Sequence, residues 1–418
     1  MTHYGRTLAA AVNSIIGLFE HEGITMISTI LDTRFLEGDK EVFYCSRCVN
    51  SNQRPGLTFD ENKVCDACEY ADLKYTQIDW GKREQELKTL LDRFRSKDGS
   101  FDVIVPSSGG KDSCLVAHQL KYKYDMHPLA VTWAPSQYTK IGWKNLENFR
   151  NAGFDTILGF PNNHLYSKLA RLGFELSGDP FWPWHYGQRA FPMSVAIKHK
   201  IPLVIYGERT SVEYGGGKEY WYKPVEELRD LQGHAISNAT NLDKLVKEGI
   251  NHGVLVSSDL SGIEQYHYPS VESLNSVGVE VHWFSYYHKW VPQENYYYAV
   301  KHCGFEPNSS RSEGTYSKYS SLDDKLDGLH FFLQYIKYGI GRCTSEASQE
   351  IRSGHITRDE AVSLVKQFDG EFPREHFAES LKFLDLSEDE FWLIIDKFRP
   401  PHLWDSLKGE WKLKTIVS

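Results

Sequence analysis

The stretch FDVIVPSSGGKDSCLVAHQL, residues 101 to 120, constrains the fold of this 418-residue chain more than any other segment. Phe101, Val103, Ile104 and Val105 form a short apolar run with strong strand propensity, and Leu115, Val116 and Leu120 recur at helical spacing beyond the turn. Between them lie only small residues, Ser107, Ser108, Gly109 and Gly110, which let successive backbone N–H groups turn toward one point. The following helix aims its positive end at the same place, so the turn reads as an anion nest, with hydroxyl donors from Ser108 and Ser113 and a charge from Lys111. A tight turn without a ligand is the plain alternative, and the full SGGKDS after an apolar strand weighs against it. A side chain at Gly110 is expected to crowd such a nest. The spacing fits neither G-x-x-x-x-G-K-[ST] nor G-x-G-x-x-G, so a standard P-loop NTPase and a dinucleotide fold are both unsupported.

Around that stretch, apolar runs and helical patterns alternate. Strands are expected at FDVIVP, HPLAVTW, FDTILGF and IPLVIYG, and helices at IGWKNLENFRNAG, HLYSKLARLGFEL and FPMSVAIKHK. Such alternation predicts an α/β fold, a parallel sheet covered on both faces, with ligands at the carboxyl ends of the strands, where the glycine turn lies. Residues 81 to 97 read as a charged helix leading into the turn. Residues 1 to 40 form an extension, read as a helix (RTLAAAVNSIIGLFEHEG) and a short strand (ITMISTIL). From about residue 325 the pattern becomes helical, with Thr357 and Ser387 placed as N-caps. The expected organisation is 1–40 extension, 41–75 metal-binding module, 76–300 α/β domain, and 301–418 a C-terminal substrate-binding and helical region.

The module is marked by Cys45, Cys48, Cys65 and Cys68, two C-x-x-C pairs at the spacing of a four-thiolate zinc site. Four thiolates saturate tetrahedral zinc, so the metal is expected to be structural; reduced thiols or disulfides are the alternative. Cys114, Cys303 and Cys343 have no such partners in sequence. A net charge of −9 and no run of five basic residues argue against nucleic acid. The apolar stretch TLAAAVNSIIGLF is too short to span a bilayer and lacks secretory flanks, giving the expectation of a cytoplasmic protein without membrane insertion. Aromatic residues reach 14% and gather in polar company, as in FWPWHYGQRAF, EYWYKP and HWFSYYHKW. Core and surface packing accounts for most of them, but flat rings beside polar groups also suit the apolar faces of sugars.

SGGKDS resembles the pyrophosphate-binding loop of the PP-loop ATP pyrophosphatases, α/β enzymes that cleave ATP to AMP and pyrophosphate. The cysteine module ahead of that loop, YGERTSVEYGG at 206–216, GTYSKYSSLDDKLDGLHFFLQYIKYGIGR at 314–342 and ITRDEAVSLVKQFDGEFP at 356–373 together resemble the bacterial N-acetyl sugar amidotransferases of lipopolysaccharide and flagellar glycan synthesis. The resemblance covers about residues 43–405 and implies adenylation of an acetamido oxygen followed by attack of ammonia, giving an acetamidino group. It implies structural zinc, ATP and Mg²⁺ as cofactors, an acetamido sugar as substrate, and a separate glutaminase pair that delivers ammonia. The ATP site would comprise Ser107, Ser108, Gly109, Gly110, Lys111, Asp112, Ser113, Thr132, Trp133 and Gly207, with Lys111, Asp112 and Glu208 catalytic. Asp112 would contact magnesium or, alternatively, complement the helix dipole; Glu208 would border the acyl oxygen or stand as a satisfied cleft carboxylate. Glu213, Tyr214, Gly215, Gly216, Tyr316, Lys318, Asp323 and Asp324 would bind the sugar. A glycine-rich surface turn and a helix-terminal acidic pair are the alternatives for 213–216 and 323–324. Arg189, Arg209 or Lys289 would supply a counter-charge for an acidic sugar. A PP-loop tRNA-modifying enzyme is the alternative activity.

Overall fold

The structure, a computed structural model, describes residues 27, 29–38, 41–228, 241–407 and 410–418. Strands β1 (Val103–Pro106), β2 (Pro128–Trp133), β3 (Thr156–Gly159), β4 (Leu203–Tyr206), β5 (Val225–Glu226) and β6 (Glu280–Trp283) form one sheet in the order β3-β2-β1-β4-β6-β5. All neighbours are parallel except β5, which runs antiparallel to β6 at the edge. The first four strands fall on the four predicted runs. The short β6, inside a stretch that reads as polar and aromatic, and β5 were not expected from the sequence.

Both faces of the sheet are covered, and the alternation of side chains decides which residue serves which core. Val103, Val105, Leu203 and Ile205 face a core shared with the helices Lys111–His118 and Pro292–Cys303. Ile104, Leu129, Val131, Val204 and Val281 face another, closed by Met193 and Ala196 of the helix Trp182–His199. That last helix was expected only from residue 191; it begins at Trp182 and runs through Pro192.

The chain lays down β1, β2 and β3 in one direction, then returns to place β4 on the other side of β1. Between β1 and β4 the two loops leaving the carboxyl ends turn opposite ways, which opens a crevice there. The glycine loop leaves β1 and Gly207–Glu208 leaves β4, so both border it.

Five helices follow in the C-terminal part, Asp327–Tyr338, Arg342–Arg352, Arg358–Phe368, Phe377–Leu384 and Glu388–Asp396. Thr357 and Ser387 cap two of them, each closing a reciprocal capping box with Glu360 and Glu390. A hairpin of β7 (Trp404–Leu407) and β8 (Glu410–Leu413) ends the region. The predicted helix at 6–23 lies outside the described residues, as does much of the predicted strand at 24–31. Residues 29–31 are not in a strand; Leu31 instead donates its N–H to the Leu176 carbonyl. Phe35 is buried in one core with Phe174, Phe391 and Trp404, and Val49, beside the cysteines, shares another with Cys343, Val365 and Val417. Tyr44 Oη donates to the Thr415 carbonyl over 3.2 Å. Among the described residues no helix is long and apolar enough to cross a membrane.

Candidate functional site

The glycine loop is laced by its own serines. Ser107 Oγ accepts from the Gly109 N–H at 3.1 Å and donates to Ser113 Oγ at 2.9 Å, and Ser113 Oγ donates to the Gly110 carbonyl at 3.1 Å. Gly109 has φ of +78°, and a Cβ there would lie 2.8 Å from Leu146 Cα on the neighbouring helix. The residue whose own backbone and neighbours demand glycine is therefore Gly109, which the sequence did not single out; the expectation for Gly110 concerns crowding of a ligand and stands beside it. Gly110 is extended, and its Cβ would meet only Ser108 Oγ at 3.1 Å. Gly110 is also the N-cap of the helix Lys111–His118 and brings no side chain to cap it, so the first N–H groups keep their capacity for an anion. The cavity over the loop measures about 150 Å³ and is lined by residues 108–112, Asn145, Asp323 and Arg342 among others.

Charge around the cavity is mixed. Lys111 pairs with Asp112, and Asp112 Oδ1 also accepts from Asn295 Nδ2 at 3.0 Å. Gly207 packs against Asp112, since a Cβ on Gly207 would come within 4.0 Å of Asp112 Cβ and 3.1 Å of the Trp290 ring. Burial, reinforced by the Asp112 carboxylate, pushes Glu208 up to about 7, where it carries a proton part of the time at neutral pH. Burial also lifts Asp323 to about 6, against the opposing pull of Ser108 and Arg342. Two cations, Lys111 and Arg342, also line an adjoining small cavity with Tyr214, Tyr316 and Tyr319; the Tyr316 hydroxyl is buried there without a partner among the described residues.

The four cysteines are buried and their sulfurs all lie within 4.8 Å of one another. Cys45 and Cys68 sulfurs are 3.9 Å apart and those of Cys48 and Cys65 3.6 Å, too far for disulfides and close to the roughly 3.8 Å edge of a tetrahedron with metal–sulfur bonds of about 2.3 Å. Backbone N–H groups of Arg47, Cys48 and Cys65 point at Cys45 Sγ over 3.3–3.4 Å, as thiolates holding a metal require. The donors thus fit a structural metal such as zinc.

The turn at 213–216 serves this module. Gly215 and Gly216 have φ of +96° and +97°, and Cβ atoms there would strike Leu57 and the Gly56 backbone. Gly216 N–H donates to Asp66 Oδ2 at 2.9 Å, and the buried Glu213 pairs with Lys74 at 2.8 Å. Arg352 and Gln349 donate to the Glu213 carbonyl. The glycines permit close packing of protein on protein at 56 and 66–67, and Glu213 is a buried ion pair; the first is a correction to the surface-turn alternative.

Other predicted residues separate. Asp324 is buried, accepting from Ser136 N–H at 2.6 Å and from its hydroxyl, and lies outside the glycine-loop cavity. Asp323 and Asp324 precede the helix that starts at Asp327, so they are not its first turn. Lys318 is exposed and donates to the Ser309 carbonyl. Trp133 turns into the core against Phe191 and Tyr266, so its ring offers nothing to a ligand, while Thr132 is buried with Oγ1 unpartnered among the described residues. Lys289 stacks over Tyr75.

The three aromatic stretches meet. Trp182, His185 and Arg189 from the first, Tyr220 from the second and Trp283 from the third line one cavity of about 630 Å³, with Arg209, Gly215 and Gly216 also in its wall. The Arg209 guanidinium sits 3.6 Å from the Tyr220 ring centroid and pairs with Glu226 at 2.8 Å; Arg189 lies over Tyr206 and Trp283 at 5.1 and 5.3 Å. Sequence reasoning missed Arg342, Asn295 and Asn145 at the loop. Arg342 ends one of the quoted stretches, but nothing in its spacing ties it to residue 108.

Residues 313–417 match the family described as "LPS biosynthesis protein WbpG-like, C-terminal domain". This bears out the resemblance to lipopolysaccharide-biosynthesis proteins. Among curated proteins the chain is similar to "Uncharacterized protein MJ1599" of Methanocaldococcus jannaschii, at 33% identity over 88 residues, which is 21% of this chain and 31% of that protein. The match therefore spans about a third of that relative's length.

Proposed function

We propose that this chain is an ATP-dependent amidotransferase that converts an acetamido group of an N-acetylated sugar to acetamidino in the synthesis of a bacterial surface polysaccharide. The observation that carries the reading is the glycine loop at the crevice between β1 and β4: an uncapped helix N-terminus, a glycine that admits no side chain, and Lys111 and Arg342 beside it. The match over 313–417 supplies the sugar-polysaccharide context and weighs against a tRNA-modifying enzyme.

The loop would hold the β- and γ-phosphates of ATP. The nucleoside would run along the carboxyl end of β2, meeting backbone and Thr132. Mg²⁺ would screen the phosphates, with Asp112 and Asp323 the carboxylates in the cavity wall and Glu208 beside Asp112; a cation there would favour the ionised form of Glu208. The acetamido oxygen attacks the α-phosphorus and pyrophosphate leaves, giving an O-adenylyl imidate. Ammonia adds to the imidate carbon, and AMP departs carrying the former amide oxygen. The sugar would occupy the aromatic cavity, its rings against Trp283 and Tyr220 and any acidic group toward Arg189. Zinc on the four cysteines would be structural, and ammonia would come from a separate glutaminase. The divisions 41–75, 76–300 and 301–418 stand as the proposed domains.

The test is incubation of the protein with ATP, Mg²⁺, ammonium and a panel of N-acetyl sugars. AMP and pyrophosphate should appear only with an accepted sugar, whose mass should fall by the difference between O and NH. ADP and inorganic phosphate as the only nucleotide products would refute the reading.

A further inference from the structure

A second cluster of metal-ligating side chains sits in the wall of the aromatic cavity, away from the cysteines. Asp179 precedes the helix Trp182–His199, His185 lies in its first turns, and His330 lies in the first turn of the helix Asp327–Tyr338. One donor atom from each comes within 4.8 Å of the others, and all three residues line the cavity of about 630 Å³. Asp179 Oδ1 is 2.9 Å from His330 Nδ1 and accepts from the Phe181 N–H at 2.9 Å, so its position is fixed by the backbone.

We infer that Asp179, His185 and His330 form a binding site for a divalent transition metal, with open coordination positions facing the aromatic cavity. Two imidazoles and one carboxylate are the donor set of zinc and non-haem iron centres that keep positions free for a ligand. Donors on a metal with bonds of about 2.1 Å stand roughly 3.0 Å apart at right angles and roughly 3.4 Å apart at tetrahedral angles, so the Asp179–His330 pair, hydrogen-bonded at 2.9 Å, needs to open by no more than about 0.5 Å to admit an ion. A simple ion pair between Asp179 and His330 explains those two residues; His185, whose ring packs on Phe181, Trp182 and Trp184, adds a third donor atom within 4.8 Å of theirs.

The cations nearby are the obstacle, and most are already matched. Arg34 holds the buried Asp32 through two bonds of 2.9 and 3.0 Å, and Lys337 approaches the same carboxylate at 3.5 Å and donates to the Ser177 carbonyl. Arg209 is paired with Glu226. Arg189, stacked on Tyr206 and Trp283 across the cavity, is placed to meet an anion that completes the metal's coordination.

The experiment is metal replacement in the full chain. Cobalt(II) on the cysteine cluster gives an intense thiolate charge-transfer band; cobalt on nitrogen and oxygen gives only weak ligand-field bands. The wild-type protein should take up a second equivalent of Co²⁺ without thiolate character, and elemental analysis should find a second equivalent of Zn²⁺ when zinc is used. His185→Ala and His330→Ala should each lose that equivalent while keeping the thiolate band, which also reports that the fold is intact. Asp179→Asn should lose it too. A wild-type protein that binds one equivalent, all of it on thiolate, overturns the inference. So does a second equivalent that survives His185→Ala and His330→Ala.

Discussion

Consecutive residues, 108 to 112, form the floor of the glycine-loop cavity, with Asn145, Asp323 and Arg342 brought in around them, whereas the aromatic cavity takes its whole lining from scattered segments that begin at Arg34 and end at Tyr338. The first has a floor of backbone held by short serine bonds, where a side chain on Gly109 has no room, and charged side chains only at its rim. The second is made of side chains carried on separate elements, and its chemistry depends on their being present. Substitution should therefore act on the two in opposite senses: adding atoms damages the loop, removing atoms damages the cavity.

The largest effect should come from adding atoms at Gly109. Gly109→Val forces a β-branched residue into positive φ and against Leu146, a distortion of about 3 kcal/mol or more. Sugar-dependent AMP formation should fall by more than about 100-fold, and sugar binding, measured by calorimetry without nucleotide, should persist. Removal of atoms is tested by Arg189→Ala, which should raise KM for an acidic sugar roughly 10- to 100-fold, the equivalent of a lost charge-assisted bond, with KM for ATP unchanged. If both KM values rise together, the two regions are not separate.

Glu208 offers a test by pH. Its carboxyl ordinarily titrates near 4.5 and is lifted to about 7 in the fold, chiefly by burial. The folded chain therefore holds a proton that the unfolded chain has released between those two values, and this group's contribution to stability is full below pH 4.5 and lost as pH rises through 7. Glu208→Gln should be more stable than the parent by about 1–3 kcal/mol at pH 8 and equal to it at pH 4, read from denaturant midpoints. Mg²⁺ with nucleotide should narrow the gap at pH 8 by favouring the ionised parent. The smallest effect is expected at Gly110→Ala, whose new methyl meets only the Ser108 hydroxyl at 3.1 Å, a contact that a shift of a few tenths of an ångström relieves; activity should stay within about 5-fold of the parent. A collapse of activity there equal to that of Gly109→Val would mean that the whole loop closes on its ligand and that the contrast between the two glycines is wrong.

The same contrast explains what could be read from the sequence. The strand, turn and helix around residue 107 are local, so period, propensity and small residues announced them, and four of six strands in the main sheet followed from the alternation. The paired cysteines were legible for the same reason. Legibility failed where a residue's role is set by distant partners. Gly215 and Gly216 read as a turn that lets backbone approach a ligand, and they do line the aromatic cavity, but the sequence does not announce that they also make room for Gly56 and Leu57. Arg342 reaches the loop only because the helix it begins packs beside it, and β6 mixes Glu280 and His282 with its apolar residues, unlike the apolar runs of β1 and β4. The three aromatic stretches were each visible, yet their meeting in one cavity is a property of topology and could not be counted from spacing.

The cysteine module packs on the far end of the chain: Val49 against Val417, and Tyr44 on the carbonyl of Thr415. During synthesis at about 5–20 residues per second, some 20 to 70 s separate the emergence of the second cysteine pair from that of the segment that covers it. A metal taken up early would hold the knuckles shaped through that interval, but their apolar side would wait uncovered. The nascent chain is thus exposed to pairing with another copy's C-terminal segment, and slow translation or crowded expression should favour swapped dimers over aggregates of unfolded chain. The ion that looks purely architectural in the finished molecule would then matter most before the molecule is finished.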